Sequence, residues 1–534
     1  MVRRAGAVEV GRRIRVAANQ AGMSLRQLGE AIGVARPTVY AYAAGTLMAS
    51  PERLEAIAKA TGVSLDFFDI GEAPLLEGDS LSLVEALLSP PDPDRAVDVA
   101  SRALASGLER DPERLARLAY HAGTALLHKG RYNQASQRLR EALAAFERLR
   151  ERRGMAASLQ SLGFCLTNLG ELEEARRCFE AARKVGEPDQ LWRASVALAA
   201  LAEREGRFDE ALFLLLEALR EHSGDPEAVA YIKANEANLL LAKGEYTEAD
   251  PATEEALQQC HSLGLTDQLL EVSAARALVL SARGRLSEAS VALMRASDIA
   301  EAVGDVARGL WCSCVRATLT MEAGRLEESA IAAAQTLAEA TQRSLPRSKA
   351  LSLRVLAETA FRRGDWSGAY AHAVQGAAFC EVNRYPAWRA VFLALAAAGA
   401  CAGGRPTNAD GLLEILRELC RSELSAECEA WMRLAEGVRL WALGDPEAAV
   451  PEFREGMRSA RACGSATLEA VLARHLEHLG DELAATHLRE QKKALAGQTM
   501  VWSVGCRCAV EPLNDETWYK GLGAPERIKR PQEG

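Results

Sequence analysis

One glycine returns along most of this 534-residue chain, at positions 130, 170, 206, 244, 284, 324, 364, 404, 444 and 480, in steps of 36 to 40 residues. Its surroundings return with it. Two residues on stands a bulky group in most units, namely Tyr132, Leu172, Phe208, Tyr246, Leu286, Leu326 and Trp366, while Pro406 and Pro446 take that place later. Five residues on stands an alanine, or Ser329 in one unit, and seven residues before stands Gly or Ala every time, from Gly123 and Gly163 to Gly437 and Ala473. Ten registered units are beyond chance. A repeat of this length is one supersecondary unit that buries its apolar face only by stacking on its neighbours. The pattern calls for two antiparallel helices per unit: small residues let the backbones approach, the glycine turns the chain, and the large group fills the gap between neighbouring pairs.

Composition agrees. Ala, Leu, Arg and Glu dominate and aromatic residues make up only 5%, a balance that favours helix, so the expected class is all-α. The longest apolar stretch, 390–402, is thirteen residues long, short of the ~20 that span a bilayer, and reads as a buried helix. Residues 1–18 carry arginines but no apolar signal core, so a cytoplasmic protein without membrane attachment is expected. Twelve cysteines, scattered over apolar helical positions, read as reduced small hydrophobes rather than a disulfide framework. The net charge is -9, yet residues 1–60 hold nine Arg and Lys against four Glu. Only that N-terminal segment is a plausible phosphate-binding surface.

The N-terminal segment breaks into short amphipathic helices. Val10, Ile14, Ala17 and Ala18 keep helical spacing up to Gly22; Ser24 with Gln27 makes a capping box that starts a second helix, and Gly33 turns the chain into a third, which ends at Gly45 with Pro37 tolerated in its first turn. Spacing alone leaves two readings open, a helix-turn-helix and an ordinary helical hairpin. The residues Gly11-Arg-Arg-Ile-Arg, Gly22-Met-Ser-Leu-Arg-Gln-Leu-Gly-Glu-Ala-Ile-Gly33-Val, Thr38-Val39, Gly45 and Leu54 through Phe68 resemble the Xre/Cro/lambda-repressor class without a gap. That resemblance implies a five-helix DNA-binding domain over 1–70 and double-stranded DNA as a partner. Carried over position by position, it puts base reading on Arg36, Pro37 and Ala41 with Leu25, and backbone contacts on Ser24, Thr38 and Tyr40; Arg26 completes the candidate set. Arg36 is the strongest candidate reader, because a guanidinium meets guanine O6 and N7 in a bidentate fork. The chain departs from the class at Leu25, where Gln is usual, and at Ala18 and Ala43, where an Arg–Glu pair is common. Both partners are missing together, so no lone charge is left buried. Tyr42 is expected in the core.

Residues 71–110 read as a connector with short helices, 111–496 as the repeat domain, and 497–534 as a C-terminal tail or cap. The repeats resemble tetratricopeptide repeats of a long-period kind, which implies a right-handed α-solenoid of about ten hairpins whose first helices line a concave groove. Projected onto this chain, the groove positions include Arg117, Tyr120, Gln160, Phe164, Asn168, Arg193, Glu203, Arg204, Tyr231, Asn238, Trp311, Arg354, Glu358 and Arg362. Amide, arginine and aromatic groups in one groove suit a peptide or protein ligand; the alternative is that they are solvated or join neighbouring repeats.

No phosphate loop, nucleophile elbow or zinc-type Cys or His spacing is present, so neither an enzyme nor a cofactor or metal is expected. His475, His478 and His487 read as packing rather than ligands, Cys312 and Cys314 as packing, and Cys506 and Cys508 as part of a capping tail. Such a head on such an array resembles the RRNPP group of peptide-sensing quorum regulators. The resemblance implies a homodimeric, peptide-responsive transcription regulator; the rival reading is an interaction scaffold with little sequence-specific DNA recognition.

Overall fold

The structure is a computed structural model that describes residues 10–509, apart from 12, 16, 19–20, 22, 44–48, 64–80, 82–83, 85–92, 107–108, 304, 422–424, 497 and 504–505. The chain divides into two compact units, 1–162 and 163–534.

In the first unit, residues 10–11, 13–15 and 17–18 are helical, followed by α1 (Leu25–Ala31), α2 (Arg36–Ala43) and α3 (Pro51–Thr61). Ser24 caps α1 as the sequence requires: its backbone N–H donates to Gln27 Oε1 at 2.8 Å, and Gln27 N–H donates back to Ser24 Oγ at 3.3 Å. Val10, Ile14, Ala17, Ala18, Leu28, Val39, Tyr42 and Ile57 form the core of this head. The fifth helix of the expected domain lies outside the described residues. Helix α4 (Pro93–Ser106) falls within the segment read as a connector, yet it buries Ala96, Val99, Ala100 and Ala103 against Leu118, Ala122 and Ala125 of α5 (Pro112–His128). α6 (Tyr132–Leu149) returns along α5, and α7 (Arg152–Leu169) runs on into the second unit.

The second unit stacks further hairpins: α8 (Leu172–Val185), α9 (Leu191–Arg204) with α10 (Phe208–Glu221), α11 (Pro226–Lys243) with α12 (Tyr246–Leu263), and α13 (Thr266–Ala282) with α14 (Leu286–Val303). Then come α15 (Val306–Glu322) with α16 (Leu326–Gln342), α17 (Pro346–Arg362) with α18 (Trp366–Val382), and α19 (Pro386–Ala402) with α20 (Thr407–Arg421). The last hairpins pair α21 (Ala426–Ala442) with α22 (Pro446–Cys463) and α23 (Ala466–His478) with α24 (Glu482–Ala496).

All ten registered glycines take positive φ, between 71° and 87°, the left-handed conformation that ends one helix and starts the next. Why the position seven residues earlier stays small is also plain. A Cβ on Gly163 would lie 2.4 Å from the Phe179 ring, and one on Gly437 2.4 Å from the Phe453 ring. At these two places the first helix has only hydrogen and the second supplies a phenyl ring, and at Gly123 the second supplies Leu139, so the volumes compensate.

One described element departs from the all-α expectation. β1 (Thr499–Ser503) pairs antiparallel with β2 (Cys506–Ala509). Met500 is buried with Ala274, Leu280 and Leu286, and Gln498 Nε2 donates to the Gly284 carbonyl at 2.8 Å while its Oε1 accepts from Ser287 N–H at 3.1 Å. The tail is therefore held by the fifth registered turn. The ten cysteines from Cys165 to Cys463 are free thiols, nine of them buried, and burial pushes Cys380, Cys401, Cys428 and Cys463 up to about 12. They act as small apolar side chains.

The second unit also folds back on itself. Arg204 Nε donates to the carbonyl of Asn383, 179 residues on, at 3.2 Å, and its guanidinium lies over the Tyr385 ring at 4.8 Å. Nearly the same offset recurs in two further contacts: a Cβ on Gly206 would meet Pro386 at 2.6 Å, and one on Gly244 would meet Glu427 at 2.8 Å. Successive hairpins thus return over earlier ones. The helices caught inside are buried on every face, as in α19, where Ala390 through Ala402 are all buried.

Candidate functional site

The head presents α2 by burying one of its faces. Val39, Tyr42 and Ala43 are buried, Tyr42 as expected, and Ala18 is buried with them. Thr38 and Ala41 are half-buried and Tyr40 is exposed, so these sit away from the core. Arg36 and Pro37 belong to the first turn of α2, and their side chains lie outside the described residues. On α1, the Ser24 hydroxyl is occupied in the capping box, Leu25 packs at the edge of the core, and exposed Arg26 pairs with Glu30 at 3.0 Å. α1 and α2 approach closely, because a Cβ on Gly29 would already touch Val39 Cγ1 at 3.0 Å. Sequence reasoning missed one residue of this assembly. Arg53, in the first turn of α3, donates from Nη1 to the carbonyl of Ile32 at 3.0 Å, where α1 ends.

Of the projected groove residues, Arg117, Tyr120 and Gln160 belong to the first unit. Arg117 pairs with Glu113 at 2.6 Å, Tyr120 lies edge-on to His121, and Gln160 is half-buried.

The second unit sorts the remainder into two groups. On the early helices several stay open. The exposed Phe164 ring stands edge-on to Phe179 at 5.4 Å, and Asn168 donates to the Phe164 carbonyl at 2.9 Å. Tyr231 and Trp192 meet with ring centroids 5.0 Å apart and planes inclined at 54°, with the exposed Arg193 guanidinium 4.7 Å over the indole and paired to Glu227 at 3.0 Å. Asn238 lies two turns along α11 from Tyr231 and is half-buried.

On the later helices the projected residues are consumed by the fold. Trp311 is buried beneath the Arg347 guanidinium, 4.2 Å above its ring. Arg354 donates to Glu358 at 2.6 Å and to Glu427 at 2.8 Å, while Arg362 holds Glu322 at 2.7 and 2.9 Å. Glu358 is 4% exposed and Arg362 also 4%. This is an internal ion network whose members satisfy one another. Arg204 is likewise engaged, by the carbonyls of Thr167 and Asn383.

Glu203 is different. Its side chain is half-buried, no hydrogen bond compensates the loss of water at the carboxyl, and that desolvation pushes it up to about 7 against the weaker pull of Arg347. His475 is buried among Phe361, Phe453 and Trp441, its Nδ1 at 2.9 Å from the Val471 carbonyl, and burial pushes it down to about 4. Its ring is a packing element. Among the described residues no three His, Cys, Asp or Glu side chains converge as a metal site, and no helix is long and apolar enough to cross a membrane.

Residues 12–68 match the helix-turn-helix family model, and residues 114–187 match the tetratricopeptide repeat model. The chain joins a helix-turn-helix domain to tetratricopeptide repeats. No curated protein sequence matches it. Among solved structures it is similar to PlcR of Bacillus thuringiensis in complex with the peptide PapR7 and DNA, at 17% identity over 48% of this chain and 96% of that one, with a TM-score of 0.29. It is also similar to a Rap protein complexed with competence and sporulation factor, at 15% identity over 64% and 98%, TM-score 0.47. A third is the apo form of the competence regulator ComR from Streptococcus vestibularis, at 14% identity over 51% and 99%, TM-score 0.26. What those proteins hold is a property of those proteins.

Proposed function

We propose that this chain is a cytoplasmic transcription regulator whose helix-turn-helix binds double-stranded DNA as a homodimer and whose repeats sense a short peptide. The observation that carries the sensing half is the contrast inside the second unit: the later helices spend their polar groups on each other, while Phe164, Asn168, Arg193, Tyr231 and Asn238 remain on early helices at surfaces a ligand can reach. Rings hold apolar side chains and a free amide binds peptide backbone. The repeats are a scaffold and a groove, with no catalytic role.

A pool of short synthetic peptides tests this. Peptides that raise the melting temperature of the full chain, with the rise lost in Asn238→Ala and Tyr231→Ala, support it; about 2.7 kcal/mol of stabilisation is expected at a hundredfold excess over Kd. No stabilisation by any peptide, with retention of a folded protein partner instead, favours a scaffold. That second reading draws on the head, where Leu25 is half-buried and Arg26 is neutralised by Glu30. Genome-wide occupancy separates the two, because discrete sites lost in Arg36→Ala require base readout and a scaffold shows none.

A further inference from the structure

The head lacks the charged pair that often ties its helices together, since Ala18 and Ala43 stand in those places and both are buried. α2 is short, at eight residues, and its first turn carries Arg36 and Pro37. Its placement on DNA depends on the turn that leads into it. That turn is built from Ile32, which ends α1, and Gly33, whose φ of 67° reverses the chain. Its N–H groups are accounted for within the turn: Ile32 donates to Leu28 and Val34 to Gly29. A carbonyl at a helix C-terminus has no partner of its own. Here it finds Arg53 Nη1, at 3.0 Å and partly buried.

Arg53 is itself well placed. It lies in the first turn of α3, where its N–H donates to the capping Ser50 Oγ and Ser50 with Pro51 fixes the direction of the helix. The charged donor also opposes the negative end of the α1 dipole.

We propose that Arg53 is a positioning residue for DNA reading: it locks the turn between the two helices of the motif to α3, and so sets the angle at which α2 meets the major groove. This rests on the DNA-binding reading above. In the described geometry the partly buried Arg53 guanidinium is turned to the Ile32 carbonyl.

The test uses the full chain and a duplex that the wild type has itself selected from a random pool. Arg53→Met keeps the aliphatic stem and removes the donor; Arg53→Lys restores a donor. Affinity for the selected duplex is expected to fall on the order of tenfold in Arg53→Met, the scale of one hydrogen bond from a charged group, and to return at least in part in Arg53→Lys. Binding to an unrelated duplex and the salt dependence of binding stay as in the wild type. Melting of the full chain, followed in parallel, confirms that the variant is folded at the assay temperature.

If Arg53→Met weakens both duplexes together and lowers the salt slope by about one, Arg53 is a phosphate contact and the inference is overturned. Unchanged affinity for the selected duplex overturns it as well. Failure of the wild type to select any duplex is a different result, which removes the DNA-binding reading and this inference with it.

Discussion

Helices α11 and α19 occupy equivalent places in their hairpins and have opposite surroundings. On α11, Tyr231, Asn235, Glu236 and Asn238 remain partly exposed beside a buried stripe of Ala230, Ala234 and Ala237. On α19 every residue from Ala390 to Ala402 is buried. The repeat pattern treats the two alike, since both keep a small residue seven places before a turn glycine, at Ala237 and Ala397. What separates them is contact with hairpins far away in sequence. A solenoid interior is open or filled according to how its later turns return, and here the filled part excludes a ligand while the open part offers one a surface.

The largest effect is expected on the filled side. Arg354→Ala leaves Glu358 and Glu427 buried without their shared cation, so the second unit should lose about 3–5 kcal/mol in a denaturant titration. Survival of full stability would mean that water reaches this network, and the contrast between the two regions would collapse.

Next comes the packing rule itself. Gly163→Ala drives a methyl into the Phe179 ring and should cost about 1–3 kcal/mol, recovered in part by adding Phe179→Leu. A neutral Gly163→Ala would show that the hairpins slide easily.

Glu203 gives a comparable effect of opposite sign. Its carboxyl rises from 4.5 to about 7 on folding, so the folded state holds the proton more tightly than the unfolded one. The penalty for ionising it is absent below about pH 4.5, grows as pH climbs toward 7 and is complete above it. Glu203→Gln should therefore be more stable than the wild type at pH 8 by about 1–3 kcal/mol, with the gap closing on acidification; a gap that does not change between pH 4 and 8 contradicts the assignment.

The smallest effect is expected on the open side. Asn238→Ala should change stability by no more than about 0.5 kcal/mol, because nothing in the fold leans on that amide. A large loss would place Asn238 among the structural residues of the filled side.

Much of this was legible in the sequence for local reasons. A turn glycine needs positive φ, its neighbours need particular volumes, and a capping box needs Ser24 and Gln27 three residues apart; each is a constraint between residues close in the chain. The thirteen-residue apolar run 390–402 was read as a buried helix and is one. Arg354, Glu358 and Trp311 were projected into a groove because their repeat positions point there, and no local pattern shows that Glu427 or Arg347 closes over them. The Arg53 bond to Ile32 was hidden for the same reason, and the strands at 499–509 were passed over as tail once the helical period stopped.

The clamp of Gln498 on the turn at Gly284 has a consequence for synthesis. The two groups are separated by 214 residues, and a ribosome adding 5–20 residues per second needs roughly 10–40 s to cover that span. Each hairpin can pair with its neighbour as it emerges. The Gly284 carbonyl and the Ser287 N–H, by contrast, must wait for more than two hundred further residues before their partner exists. The middle of the array is thus made early and finished last, so a chain released before Gln498 would carry the nine other registered turns well formed and the fifth unsealed.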